Sequence, residues 1–159
     1  MVRLLVAALA VPLLAAGEPS PAHPDFSGKW VLDLRASRLH PEYFRGLTRG
    51  VVRIAHRDPE FSFRRAFTRA GESTTVAFTL STDGRATAAT EDGMPTRRTL
   101  RWDGEELVFV TVYRAPRGEA RNTVRYALRD GGRTLVAAES FRGPRVSYDN
   151  VWVFSKARS

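Results

Sequence analysis

Asp25-Phe26-Ser27-Gly28-Lys29-Trp30-Val31-Leu32-Asp33-Leu34 is the stretch on which the fold turns. A phenylalanine precedes Gly28 by two residues and Trp30 follows it by two. Gly28 has no Cβ, so the chain can turn there or pass close to another strand. From Trp30 the residues alternate. Trp30, Leu32 and Leu34 fall on one face of a strand, Val31 and Asp33 on the other. A tryptophan near one end of a barrel can plug it, with its indole N–H bonded to a neighbouring strand. As an ordinary core anchor, Trp30 would be buried without that role.

Working outward from this first strand, Lys29–Leu34, the chain reads as strand, turn, strand. After one long connection, Arg35–Gly50, with a helical turn expected around Glu42–Arg45, strands are predicted at Val51–Arg57, Glu60–Arg69, Ser73–Leu80, Arg85–Thr90 and Pro95–Trp102. They continue at Glu105–Arg114, Glu119–Arg129, Arg133–Phe141 and Arg145–Ser155. The junctions carry turn chemistry: Asp58-Pro59, Ala70-Gly71, Asp83-Gly84, Asp92-Gly93, Asp103-Gly104, Arg117-Gly118, Gly131-Gly132 and Gly143-Pro144. Asp-Gly pairs supply the positive φ of tight hairpins. Hairpins throughout, with no long crossover after Gly50, predict an all-β, up-and-down antiparallel meander barrel of about 8–10 strands. Its last strand should lie beside its first.

Phe26-Ser27-Gly28-Lys29-Trp30 followed by a meander resembles the calycin superfamily, which comprises lipocalins, fatty-acid-binding proteins and avidins. More narrowly, Pro24 to Asp33 with Ser37 is similar to the start of exported lipocalin-like bacterial proteins. The resemblance covers most of the chain in pattern and about a dozen residues in identity. It implies a binder of small apolar molecules. One departure stands out. Fatty-acid binders carry a two-helix lid after the first strand, and Arg35–Arg49 is too short for that and is interrupted by Pro41 and Gly46.

The chain has 159 residues, enough for one domain with a sizeable core. Residues 1–17 read as a secretory signal: Arg3, then the apolar run Leu4–Leu14, then Ala15-Ala16-Gly17 as a cleavage site. The run is too short to span a membrane. Residues 18–27 read as a flexible, proline-rich leader and 28–159 as the barrel domain, so the mature protein is expected in the periplasm or secreted. There is no cysteine, which excludes thiol nucleophiles, thiolate metal sites and disulfides. Net charge is +8, carried almost wholly by arginine. Such a charge favours polyanions, but the arginines are spread along every strand with acids between them. Nucleic acid is therefore not an expected partner.

Alternation nominates the interior. Phe61, Phe63 and Phe67 share a face with Arg65; Val76, Phe78 and Leu80 share another. Leu107, Phe109 and Tyr113, then Val124, Tyr126 and Leu128, then Tyr148, Asn150, Trp152 and Phe154 follow. Arg53, Arg65, Arg98 and Arg125 sit mid-strand. One or two turned inward would hold a carboxylate or phosphate by bidentate hydrogen bonds; turned outward they would simply be solvated. Trp30, Phe61, Phe63, Arg65, Phe67, Phe78, Arg125, Tyr126, Tyr148 and Trp152 are the candidate ligand-binding residues.

Catalytic residues are not apparent. His23, His40 and His56 show no metal-ligand spacing, no serine lies in a nucleophile-elbow context, and Asp25, Asp33 and Glu139 have nothing to single them out as an acid–base pair. No phosphate loop or dinucleotide fingerprint is present, so no cofactor is expected. Two readings remain. In one, an exported barrel holds a small hydrophobic or amphipathic ligand. In the other, a packed barrel binds a protein or the cell envelope through its outer face. Interior volume separates them.

Overall fold

A computed structural model describes residues 23–115 and 118–158. The expected signal peptide and the first part of the leader lie outside the described residues. Ten strands and one helical turn follow in order: β1 (Gly28–Leu32), α1 (Pro41–Phe44), β2 (Leu47–Arg57), β3 (Glu60–Arg69), β4 (Glu72–Ser81), β5 (Thr87–Glu91), β6 (Met94–Asp103), β7 (Glu106–Ala115), β8 (Gly118–Arg129), β9 (Thr134–Arg142) and β10 (Ser147–Lys156). They form one antiparallel sheet in the order β4-β3-β2-β1-β10-β9-β8-β7-β6-β5. The first and last strands are neighbours, with Trp30 opposite Lys156 and Leu32 opposite Phe154. The meander barrel expected from turn spacing is therefore the observed fold.

The seam lies between β4 and β5, which form no ladder with each other. At one end it is pinned by a bridge between Asp83 and Arg101 and by the Gly84 N–H, which donates to the Leu100 carbonyl at 2.9 Å. The barrel is thus nearly closed.

Turn residues explain the hairpins. Asp92 and Gly93 both have positive φ, 49° and 76°, the requirement of a tight turn whose twist matches its strands. Most boundaries fall within two residues of expectation, and two that differ have a visible cause. Strand β1 ends at Leu32 because the Asp33 carboxylate accepts from the N–H groups of Arg35 and Ala36 at 2.9 and 3.0 Å, an Asx turn that bends the chain. Strand β2 starts four residues early, at Leu47, and Gly50 is why it fits. A Cβ there would lie 2.8 Å from the Phe67 ring and 2.9 Å from the Leu32 side chain.

One end of the barrel is solid. Phe26, Trp30, Phe61, Leu107 and Leu135 are fully buried, with Leu100 and Val52 nearly so. Trp30 does close this end, but its indole N–H donates to the Phe26 carbonyl at 3.0 Å rather than to a neighbouring strand. Gly28, at φ 146°, lets β1 pass Lys156, whose Cε would be 2.9 Å from an added Cβ.

The leader was expected to be flexible through Ser27. Instead the chain is packed from His23, whose ring stacks on Trp102 at 4.0 Å. Phe26 is buried because its ring fills volume beside Trp102 and His56. Ser27 then locks to β2: its hydroxyl donates to the His56 carbonyl at 3.1 Å and accepts from the His56 N–H at 3.0 Å.

Candidate functional site

The other half of the barrel keeps a cavity of about 230 Å³. Small-molecule sites begin at roughly 300 Å³, so this space suits a compact cargo rather than a long acyl chain. Its wall is aromatic. Phe63 stacks on Phe78 at 4.9 Å and Phe78 on Phe109 at 4.8 Å, so a ladder of rings runs from β3 through β4 and across the seam to β7. Phe67 stacks on Trp152 at 5.1 Å. Strand alternation places these side chains inward.

A strap covers the mouth. Arg38 exchanges two backbone hydrogen bonds with Val151, both at 2.8 Å, which lays the connection along β10. Pro41 then starts α1 at the position where its missing N–H costs nothing. Phe44 meets Trp152 edge-on at 4.8 Å, and Tyr43 packs on Tyr148 at 4.9 Å. The Arg69 guanidinium donates to the Tyr43 carbonyl and holds the far side of the turn.

Polar groups inside the cavity form three sets. The first centres on Glu139 of β9. One carboxylate oxygen accepts from Asn122 at 2.9 Å; the other accepts from Asn150 at 2.7 Å and from the Trp152 indole at 2.8 Å. The second is the Arg98–Glu91 ion pair at 2.9 Å, with the Tyr113 hydroxyl donating to the same Glu91 oxygen at 3.3 Å. The third is Arg65. Its guanidinium carbon lies 4.6 Å over the Phe67 ring, and among the described residues no carboxylate pairs with it.

The tyrosines are neutral donors through physiological pH. Burial pushes the Tyr148 phenol up to about 12, assisted by the negative charge of Glu139. Burial also raises Tyr126, against the pull of Arg65. It raises Tyr113 too, with Glu91 adding to the shift. A buried phenolate would lose hydration that nothing here replaces. Arg65, Tyr126 and Tyr148 all line this cavity.

Of the ten residues nominated from sequence, seven line the cavity: Phe63, Arg65, Phe67, Phe78, Tyr126, Tyr148 and Trp152. Trp30 and Phe61 do not. They face inward but lie in the packed end. Arg125 is on the outer wall, bonded to Asp103 at 2.8 Å and Glu106 at 3.1 Å. Tyr126 faces inward, so its neighbour Arg125 must face outward. Glu91, Asn122 and Glu139 were not nominated as ligand contacts and line the same cavity, as does Arg98, one of the four mid-strand arginines weighed from sequence. The signal was present, since Asn122 shares parity with Tyr126 and Glu139 with Leu135 and Phe141. Only their polarity hid them.

The described residues thus form a nearly closed ten-stranded antiparallel barrel with a lined interior and a strapped mouth. No protein-family profile and no curated protein sequence matches the chain. Solved structures do match in shape. Secretory abundant heat soluble protein 4 from Ramazzottius varieornatus superposes with a TM-score of 0.59 at 15% identity, over 87% of this chain and 100% of that one. Human cRBP IV gives 0.59 at 14% identity, over 84% and 99%. Zebrafish ileal bile acid-binding protein, complexed with cholic acid, gives 0.55 at 14%, over 83% and 98%. At these identities the likeness establishes the fold.

Proposed function

We propose that this protein is a carrier for a small amphipathic acid, whose apolar body lies among the aromatic rings and whose anionic group meets Arg65. The observation that carries the reading is the arginine itself. It is a guanidinium lining an aromatic cavity, without a carboxylate partner among the described residues, and Tyr126 and Tyr148 line the same cavity. An anion placed there gains charge-assisted hydrogen bonds in a poorly hydrated setting. The similar structure of the zebrafish bile acid-binding protein is by name that of a binding protein, which supports binding over catalysis. The cavity favours this reading over a packed barrel that acts only through its surface.

Titration with the anionic fluorophore 8-anilinonaphthalene-1-sulfonate, displaced by decanoic acid, tests it. Saturable one-to-one binding at micromolar Kd, about −8 kcal/mol, is expected. No saturable binding by this probe, decanoic acid or 1-decanol overturns the reading in favour of a surface role.

The reading includes export, with cleavage near Gly17. Mature protein recovered from the periplasm or medium should begin close to Glu18, and finding Met1 retained in that material contradicts it.

A further inference from the structure

The wall formed by β6, β7 and β8, which the apolar ladder reaches at Phe109, carries a polar row fixed by register. On β6, β7 and β8, Arg98 sits opposite Thr111 and Thr111 opposite Asn122. All three line the cavity. Cross-strand neighbours stand about 5 Å apart, so the row is continuous across three strands. Two of its atoms are buried without a hydrogen-bond partner: Nε of Arg98, a donor, and Oδ1 of Asn122, an acceptor. Elsewhere on the two side chains, Nη2 of Arg98 pairs with Glu91 and the Asn122 amide donates to Glu139.

We infer that this row is a second polar station, which takes an uncharged hydroxyl or amide of the cargo, so that the ligand is an oxygenated acid rather than a plain fatty acid. The inference rests on the cavity-binding reading above. Charge balance selects an uncharged group. A second carboxylate at the row would face Glu91 and Glu139, and an ammonium would face Arg98. A hydroxyl both accepts and donates, which suits a row that offers one free donor and one free acceptor. Buried atoms without partners are costly, and a cargo group that bonds to them recovers part of that cost.

The sign of the hydroxyl's effect is therefore diagnostic. Against a wall whose polar atoms were all satisfied, adding a hydroxyl to a ligand weakens binding, because the group loses water and gains nothing. Against this row it should strengthen binding. Isothermal titration calorimetry with decanoic acid and a positional set of hydroxydecanoic acids tests the point on the unaltered protein. At least one isomer should bind tenfold or more tighter than decanoic acid, about 1.4 kcal/mol. In Asn122→Leu the ratio of the two affinities should fall towards one, a coupling read from the ratio whatever the change in decanoic acid itself. If Asn122→Leu does not fold, Thr111→Val takes its place, and the isomer series on the unaltered protein remains decisive. Equal or weaker binding by every isomer overturns the second station and leaves the carrier reading intact. Failure of decanoic acid and all isomers to bind overturns both.

Discussion

Asn150 couples His40 to Glu139. Its carbonyl oxygen accepts from the His40 backbone N–H at 2.7 Å, and its amide donates to Glu139 at 2.7 Å. The side chain is 2% exposed. It joins the residue just before α1 to the most heavily hydrogen-bonded carboxylate in the cavity. Trp152 reinforces the link, because its indole donates to the same Glu139 oxygen while its ring meets Phe44 of the strap.

Replacing Asn150 with leucine should strand a backbone donor and leave one carboxylate contact unmade. A destabilisation of roughly 1–3 kcal/mol is expected, since buried polar groups left without partners cost about that each. The check is urea unfolding of Asn150→Leu against the parent. A change below about 0.5 kcal/mol would mean that strap and wall are not joined through this residue.

Trp30→Ala should cost about 3–5 kcal/mol, the usual range for emptying a large aromatic site. The ring is wholly buried. Trp30→Phe keeps most of the volume but removes the donor to Phe26, and about 1 kcal/mol is expected for that bond. Denaturant titration of the two variants separates filling from hydrogen bonding, and a loss under about 1 kcal/mol in Trp30→Ala would show the plug to be dispensable.

Arg65 and Arg125 should behave oppositely. Arg65→Gln should weaken decanoate by roughly tenfold or more, in keeping with about 1.5–3 kcal/mol for a charge-assisted bond, and leave 1-decanol nearly unchanged. Arg125→Gln should leave both ligands alone, because its ion pairs lie on the solvated outer wall where such pairs contribute little. The competition titration decides. Equal losses from both variants would refute the placement of the anion at Arg65.

Stability should decline in strong alkali. Folding raises the Tyr148 phenol to about 12 from its ordinary 10 and raises Tyr126 as well. The folded state therefore holds these protons more tightly than the unfolded chain. The stability so gained is complete below pH 10 and is lost as the pH rises towards 12. Urea midpoints measured across that interval should fall less steeply in Tyr148→Phe than in the parent. Identical slopes would place the phenol in solvent.

Much of the barrel was legible in local chemistry. Strand β3 falls where the alternation of Phe61, Phe63 and Arg65 put it, and Asp-Gly pairs mark the turns because few other residues accept their backbone angles. Parity told inside from outside, but it is silent about height along the barrel axis. Trp30 and Phe61 face inward like Phe63, yet they sit in the filled end. Parity also forbids Arg125 and Tyr126 from sharing a face, a constraint that pairing them as ligand contacts overlooked. Glu139 and Asn122 were hidden by the habit of reading interiors from apolar residues. Here the interior polar groups satisfy one another across strands far apart in sequence, and no local pattern records that pairing. The same applies to the leader, where Phe26 is buried only because distant Trp102 and His56 surround it.

The adjacency of β1 and β10 has a consequence for how the molecule comes into being. Trp30 must meet Lys156, and Leu32 must meet Phe154, across nearly the whole sequence. Hairpins such as β3–β4 can zip early at small entropic cost, whereas bringing the two termini together closes the longest loop the chain can make. Until β10 arrives, β1 carries an unpaired edge and the tryptophan plug has an incomplete wall. Closure therefore waits on the last strand to be made. A chain cut before Ser147 would be left as an open ribbon with its most hydrophobic end exposed, and that ribbon has every reason to pair with another of its kind.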